Sequence, residues 1–509
     1  MNHWILAPVL LPAMIAALIV MFARHEVERQ RVISILGTLA LCAISVWLLM
    51  LAASGAIEVY EVGNWPAPFG IVLVLDRLSA LMVLLTALLA SAVLLYAIGS
   101  GWDARGKHFH ALFQFLLMGV CGAFLTGDVF NLFVFFEVLL IASYGLMIHG
   151  GGKQRLRAGV QYVAYNLLGS TLFLFALGAI YAVSGTLNMA DLAQRAAEMP
   201  ADEAAILRVG AVLLLLVFAV KAALLPLHFW LPATYSLTPA PVAALFAIMT
   251  KIGAYAILRV YTLVFGPDLS VMDGLVGDLL MPAALLTLII GMVGILGSTE
   301  LGRLAAFSAI GSMGTLLIAI AMFTPEATVA ALYYMVHSTL ATAALFLVVD
   351  LMTEHRPGAK GKIIPSPFHR YGGLTAALFF VSSIALAGMP PLSGFVGKLM
   401  IMDAARDSDL VWWIWAAILI TSLIAVVGFA RAGSSVFWKS AQEAAVEVPA
   451  HDDARQSESL ALTATFGIIG ALVVVTVLAG PIADYLNATA GQLYAPAQYI
   501  GAVLRLEQG

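Results

Sequence analysis

The sequence has 509 residues, of which 62% are apolar and only 11% are charged, whereas soluble proteins carry about 25% charged residues. This composition excludes a soluble globular protein and predicts an integral membrane protein. The formal net charge of −4, without a basic tail, argues against a nucleic-acid partner. The two cysteines, Cys42 and Cys121, lie inside apolar runs, which excludes a disulfide framework, a cysteine zinc site and a ligated iron–sulfur cluster.

Apolar runs of about 20 residues, separated by polar or Pro- and Gly-rich joints, predict an all-α membrane protein with about fourteen transmembrane helices. The first run follows no basic segment and lacks a clear cleavage site, so we expect a retained helix rather than a signal peptide. The predicted spans are 4–23, 32–53, 71–98, 108–126, 129–149, 158–184, 207–231, 239–265, 279–298, 303–323, 327–352, 372–402, 411–433 and 460–486.

The distribution of the 25 Lys and Arg residues predicts the orientation. With both termini outside, sixteen of them fall in inner joints, six in outer joints or outer helix ends, and three within spans. The positive-inside rule therefore predicts that both termini lie on the outer side. Of the longer joints, 185–206 is predicted to form an outer surface helix, and 353–371 and 434–459 are predicted to be inner loops.

Two of the predicted spans contain both a lysine and a proline break. Lys221 lies in the seventh span, where a lysine at the helix centre costs ~3 kcal/mol on insertion scales. Pro226 follows and predicts a break at membrane depth, where irregular backbone normally lines a cavity. The twelfth span breaks at Pro390, and Lys398 follows. Paired broken spans in the two halves of a chain indicate inverted repeats around a transport site.

The fifth span carries an acidic residue near its middle, Glu137. A lone carboxyl there would take up a proton, whereas pairing with Lys221 would keep both groups charged at lower cost. Two interpretations remain open: a proton or cation role, and a static ion pair that fixes helix packing. Asp128, at the outer end of the same span, is predicted to cap the helix N-terminus.

Three further ionisable residues lie inside predicted spans or breaks. Lys251 is in the middle of the eighth span, His337 is ten residues into the eleventh, and His228 lies at the first break. For His337 the alternative is a core histidine bonded to a backbone carbonyl; for His228, bonding freed carbonyls and relaying protons are equally open. Buried lysines release protons readily, so the series of Glu, Lys, Lys, His and Lys predicts a proton relay. No metal-ligand spacing, P-loop or dinucleotide fingerprint is present, so no metal or cofactor is predicted.

Residues 108–400 resemble the antiporter-like membrane subunits shared by respiratory complex I and the multisubunit Mrp-type cation/proton antiporters. The resemblance rests on 126–144 around Glu137, on 218–232 ending Pro-Leu-His-Phe-Trp-Leu-Pro, on Lys251 and His337, and on Gly-Met-Pro-Pro-Leu-Ser-Gly-Phe at 388–395. Within this family the chain looks most like the D-type subunits of the Mrp (Mnh or Pha) antiporters. Three features carry this resemblance: the segment Thr-Gly-Asp-Val-Phe-Asn-Leu-Phe-Val-Phe-Phe-Glu, the segment Gly-Phe-Val-Gly-Lys that ends at Lys398, and the chain length.

This resemblance implies two inverted five-helix repeats with broken seventh and twelfth helices. It divides the chain into helices 1–3 (1–107), a first repeat (108–265), a second repeat (279–433) and an inner loop with helix 14 (434–509). It also implies that Glu137 and Lys221 form a modulating ion pair, that Lys251 and His337 form the central relay, and that Lys398 is the terminal proton group.

The implied function is exchange of Na⁺ or K⁺ for H⁺ by a subunit of a bacterial inner-membrane complex, with partner subunits of types A, B, C, E, F and G and no cofactor. The alternative is a proton-pumping membrane subunit of complex I or of a membrane-bound hydrogenase. Three lysines inside predicted spans argue against a purely structural scaffold.

Overall fold

The computed structural model describes residues 2–200, 203–267, 269, 272, 274–356, 358–366, 368, 371–439 and 458–506. Their α-helices, in chain order, are α1 (Ala7–Phe22), α2 (Val27–Ala53), α3 (Arg77–Gly99), α4 (Phe109–Leu125), α5 (Val129–Met147), α6 (Lys153–Ser184), α7 (Met189–Glu198), α8 (Ala205–Lys221), α9 (Trp230–Leu237), α10 (Ala240–Leu263), α11 (Leu275–Gly297), α12 (Leu301–Ala321), α13 (Pro325–Glu354), α14 (Gly372–Ala387), α15 (Ser393–Ala404), α16 (Val411–Gly433), α17 (Glu458–Val477), α18 (Ala479–Leu493) and α19 (Pro496–Leu504).

Short elements complete the described chain. They are the strands β1 (Glu58–Glu61) and β2 (Val72–Leu75), the 3₁₀ turns His3–Ile5, Val62–Asn64, Asp103–Arg105 and Leu227–Phe229, and a π-helical turn, Ser434–Trp438. Ten helices in the described part are long and apolar enough to cross a membrane, and α1, α4 and α14 are shorter apolar helices. The predicted helical membrane class is confirmed. Both predicted breaks are present, between α8 and α9 and between α14 and α15.

The predicted third span starts too early. Residues 72–75 form β2, which pairs antiparallel with β1 so that Glu58 lies opposite Leu75 and Glu61 opposite Val72. The helix begins only at Arg77, because the carboxylate of Asp76 accepts the Ser79 N–H (2.8 Å) while the Ser79 hydroxyl accepts the Asp76 N–H (2.9 Å). This capping box fixes the helix start after the strand.

The predicted last span, 460–486, is also wrong in its second half. Helix α17 ends at Val477 and α18 begins at Ala479, where Gly480 and Pro481 disfavour a continuous helix. Helix α18 turns onto the start of α3: Tyr485 donates to the Arg77 carbonyl (2.8 Å) and Gln492 accepts the Arg77 N–H (3.0 Å). The predicted surface helix in 185–206 is α7, and most of the predicted loop 434–459 lies outside the described residues.

Burial separates central helices from peripheral ones. The apolar stretch of α10 is completely buried, and those of α12 and α13 are 94% buried, whereas those of α2 and α16 are only 33% buried. A helix that is apolar and buried all round lies in the core of a bundle. Helices α10 and α13, which carry Lys251 and His337, are therefore central.

Candidate functional site

The break between α8 and α9 leaves backbone groups that other side chains bond. Lys221 is the last residue of α8. The indole Nε1 of Trp230 donates to the Val220 carbonyl (3.0 Å), and the Leu225 N–H donates to the Thr287 hydroxyl of α11 (2.8 Å). Such partners allow an irregular backbone to persist at membrane depth.

Lys221 and Glu137 are joined through a third helix. Lys221 is 5% exposed, and its Nζ donates to Asn166 Oδ1 on α6 (3.2 Å) and lies 5.6 Å from the centre of the Phe136 ring. The carboxylate of Glu137, which is partly buried, accepts a hydrogen bond from the Ser170 hydroxyl, also on α6.

The predicted direct contact between Glu137 and Lys221 is thus not made in this structure. Helix α6 supplies the partners of both groups, because Asn166 and Ser170 are one helical turn apart and share a face. The charge of Glu137 is nevertheless close enough to act on Lys221. The two groups therefore interact through their charges, and each forms a hydrogen bond with a different residue of α6.

Lys251 is fully buried on α10, and its Nζ has no hydrogen-bond partner within the described residues. Two residues further on, Gly253 lies against the break after α8, where a Cβ would come within 2.7 Å of the Ala222 backbone nitrogen. The missing side chain therefore lets α10 approach the broken helix closely. This contact brings the segment that carries Lys251 against the segment that carries Lys221.

His337 is fully buried on α13 and lies against the second break. Its Nδ1 is 2.9 Å from the Ser393 hydroxyl at the start of α15. The backbone of Ala385 also interacts with the ring by a hydrogen bond, so the alternative, in which a ring nitrogen bonds a backbone carbonyl, stays open beside the contact with Ser393. The charges of Lys398 and Lys251 both act on the His337 ring.

Lys398 uses the break between α14 and α15 directly. Its Nζ donates to the Ala387 carbonyl (2.8 Å), which lies at the end of α14, and to the Ser422 hydroxyl of α16 (2.8 Å). Gly388 follows with φ = +78°, a conformation that glycine adopts without steric cost. A helix terminus leaves carbonyls without intrahelical partners, and here one of them holds an ammonium group.

The two secondary candidates differ in geometry. His228 is buried and its Nδ1 has no partner among the described residues; the indole of Trp230 bonds the freed Val220 carbonyl. Asp128 accepts the Asn131 N–H (2.7 Å), so the predicted N-terminal cap of α5 is present. Burial raises the pKa of Asp128 to about 6, against hydrogen bonds from the backbone.

The structure thus joins Glu137 and Lys221 through α6, packs the segment that carries Lys251 against the first break, and places His337 and Lys398 at the second break. Sequence reasoning missed the neutral residues that hold them, namely Asn166, Ser170, Ser393 and Ser422. The signal was available for α6, where Asn166 and Ser170 interrupt an apolar run at one-turn spacing. Small hydroxyl residues are common in membrane helices, so their roles follow only from the contacts.

Comparison with known proteins identifies the family. The family model described as "NADH:quinone oxidoreductase/Mrp antiporter, TM" matches residues 126–425. The D-type subunit of a probable K⁺/H⁺ antiporter of Rhizobium meliloti is 38% identical over 99% of this chain and 98% of its own length. The D-type subunit of the Na⁺/H⁺ antiporter of Alkalihalophilus pseudofirmus is 36% identical over 99% of this chain and 100% of its own length.

Among solved structures, a chain in the structure of the Mrp complex from Dietzia sp. superposes with a TM-score of 0.86 and 27% identity. The match covers 99% of this chain and 100% of that chain. These matches extend over nearly the whole sequence, and the matched part includes the broken helices and the buried lysines. The chain belongs to the family of NADH:quinone oxidoreductase/Mrp antiporter membrane subunits, and its near full-length relatives within that family are D-type antiporter subunits.

Proposed function

We propose that this chain is the D-type subunit of a multisubunit antiporter that exchanges Na⁺ or K⁺ for H⁺. The observation that carries the proposal is the set of three lysines buried in the helical bundle, Lys221, Lys251 and Lys398, none of which forms an ion pair with a described residue. An ionisable group inside a membrane is costly and normally marks an ion or proton pathway. The full-length relatives named as antiporter subunits support the same function.

The individual roles follow from the partners of each group. Glu137 modulates Lys221 through its charge, while Asn166 offers the ammonium a neutral acceptor. A lysine with neutral partners in a low-dielectric site gives up its proton readily. Lys251 and His337 pass the proton between the two halves, and Lys398 is the terminal group. The two halves are the proposed five-helix repeats, 108–265 and 279–433.

The protein works in a bacterial inner membrane beside other antiporter subunits, with both termini on the outer side. The excess of Lys and Arg in the predicted inner joints supports this orientation. Moving one charge against 100 mV costs ~2.3 kcal/mol, and ion gradients can supply this free energy without a cofactor. A pumping subunit of complex I remains the contrasting function, and the names of the D-type relatives favour the antiporter.

The test is cation-dependent proton movement in inverted vesicles from an antiporter-deficient host that expresses the whole operon. We expect wild type to exchange protons for Na⁺ or K⁺, added separately, and Glu137→Ala and Lys221→Ala to abolish exchange while the subunits still co-purify. Lys153→Ala, which changes an exposed lysine at the start of α6, is the matched control and should keep wild-type exchange. Proton pumping driven by NADH oxidation, with no response to either cation, would instead support the complex I function.

A further inference from the structure

Asp350 is a second acidic residue inside the bundle, and the relay described above does not use it. It lies on α13 and is 8% exposed. His337 is on the same helix, thirteen residues away, or about 20 Å along the axis. Asp350 falls inside the predicted span 327–352. A carboxyl buried at this depth needs either a partner that balances its charge or a proton.

The partners of Asp350 are neutral. Its Oδ2 accepts hydrogen bonds from the Tyr96 hydroxyl of α3 (2.9 Å) and from the Trp102 indole Nε1 (2.9 Å). No lysine or arginine in the described chain forms an ion pair with Asp350. The nearby guanidinium of Arg105 instead pairs with Glu354 (3.2 Å) and lies 3.9 Å from the centre of the Trp102 ring.

A second cation also has other partners. Arg155 donates to the carbonyls of His149 (2.7 Å) and Leu237 (2.8 Å), although its charge and that of Asp350 act on each other. The charged groups that act on Asp350 are therefore Arg105, Arg155 and Glu354. None of the three contacts the carboxylate, so a proton can bind without breaking an ion pair.

The Trp102 donor is held in place by a polar network. The Trp102 carbonyl accepts from His149 Nε2 (2.8 Å), and the adjacent Asp103 carboxylate accepts from Arg31 (2.7 and 3.1 Å) and contacts His110 Nε2 (3.1 Å). Burial alone would raise the pKa of Asp103, but hydrogen bonds from His110 and Arg31 hold that pKa below its ordinary value. Asp103 therefore stays charged, and the Trp102–Asp103 pair is a fixed support for Asp350.

The same network reaches water. Arg31 also bonds Glu28 (2.7 Å), whose side chain is 76% exposed, and the side chain of Arg105 is 40% exposed. In the other direction along α13, the Thr342 hydroxyl is buried and has no partner among the described residues. A buried polar atom of this kind is the usual site of an ordered water. Asp350 thus lies between an aqueous edge and the polar interior.

We infer that Asp350 takes up and releases the transported proton at the end of α13 that is predicted to be inner. This inference rests on the proposed proton path through the subunit. Tyr96 and Trp102 orient the carboxylate, and neither donor carries a charge that would oppose protonation. The contrasting explanation is that Asp350 only fastens α13 to α3. An asparagine would do that equally well, because its amide oxygen accepts the same two hydrogen bonds.

The test is Asp350→Asn in the full complex, assayed for exchange from pH 6 to 9. We expect exchange to fall about 100-fold, the usual contribution of a proton-transfer group, while the subunits co-purify. Glu326→Gln is the matched control, since it removes the same charge from an exposed carboxyl in the first turn of α13, at the opposite end of the helix, and it should stay within about twofold of wild type. Wild-type exchange by Asp350→Asn across this pH range would overturn the inference.

Two further measurements cover the remaining outcomes. If the complex with Asp350→Asn does not assemble, Asp350→Glu is the second variant, because it retains a titrating carboxyl. It should restore assembly and part of the exchange. Failure of both variants to assemble would show a packing role and overturn the inference. If wild type exchanges neither cation, the proposed function fails. Infrared difference spectra of the purified complex then test proton uptake by Asp350 separately from transport. A titrating carboxyl band that is present in wild type and disappears in Asp350→Asn would uphold proton uptake. A wild-type spectrum without such a band would overturn it.

Discussion

Asn166 and Ser170 lie one turn apart on α6, and they are the hydrogen-bond partners of Lys221 and Glu137 respectively. This arrangement makes α6 the mediator between a buried ammonium and a carboxylate that do not touch. A small shift of α6 would change both bonds together. The coupling between Glu137 and Lys221 should therefore depend on two neutral residues.

The acceptor on α6 can be changed in charge or removed. Asn166→Asp would place a carboxylate beside Lys221 and favour the charged ammonium, so the pH at which exchange is fastest should rise. Asn166→Leu removes the acceptor; a hydrogen bond to a charged group is worth ~1.5–3 kcal/mol, so exchange should fall ~10-fold or more. Exchange assayed against pH in vesicles measures both effects.

The control for these variants is Thr171→Val. The Thr171 hydroxyl is exposed and, among the described residues, bonds only the Leu167 carbonyl of its own helix (2.9 Å), so its loss should leave the pH profile unchanged. An Asn166→Asp profile that coincides with wild type would show that Asn166 does not govern the protonation of Lys221.

Lys251 should be required for transport although its burial lowers the stability of the protein. Its buried Nζ lacks a partner among the described residues, and a buried polar group without a partner costs ~1–3 kcal/mol. Lys251→Met keeps the length of the side chain and removes the charge. We expect a higher thermal denaturation midpoint of the purified complex together with a loss of exchange of about 100-fold. Lys153→Met, at an exposed position, should change neither quantity, and a lower midpoint for Lys251→Met would contradict the proposed lack of a partner.

Gly253 should tolerate no side chain. A Cβ there would lie 2.7 Å from the Ala222 nitrogen and 2.9 Å from the Phe218 carbonyl oxygen, and overpacking of this kind typically costs ~1–3 kcal/mol. We expect Gly253→Ala to lower the denaturation midpoint and to reduce exchange by displacing Lys251 from the break. Gly178→Ala on α6 is the control, because no atom of the described residues, apart from its own helix backbone and chain neighbours, lies within 4 Å of its added Cβ. Equal midpoints for the two variants would argue against close packing of α10 on α8.

Asp128 should make stability depend on pH. Burial raises its pKa to about 6 from an ordinary value of 3.8, so the folded protein binds this proton more tightly than the unfolded chain does. The contribution of Asp128 to the free energy of unfolding therefore decreases as pH rises from about 4 to about 6, and is constant above that range. Asp128→Asn keeps a capping side chain but removes the titration.

Denaturation midpoints of the purified complex at pH 4.5, 5.5 and 6.5 measure this effect. The difference between Asp128→Asn and wild type should change with pH in the direction that favours the variant at pH 6.5. A difference that is the same at all three values would show that Asp128 has an ordinary pKa.

Much of the membrane architecture could be predicted from the sequence. Lengths of apolar runs locate the helices because a backbone in lipid must bond internally, and Pro226 and Pro390 locate the breaks because proline removes a backbone donor. The same runs expose Glu137, Lys221 and Lys251 as costly exceptions. These conclusions depend on local composition, which a single sequence contains in full.

The tertiary structure decided which groups meet. Lys221 bonds Asn166, 55 residues away, and not Glu137, because partner choice depends on how each helix is rotated and packed against its neighbours. The strand at 72–75 and the turn after Val477 follow from contacts with β1 and with the start of α3. Asp350 likewise became a candidate only when α3 supplied Tyr96 as its donor. Apolar periodicity sets the location of a helix, whereas side-chain contacts between distant helices set the site.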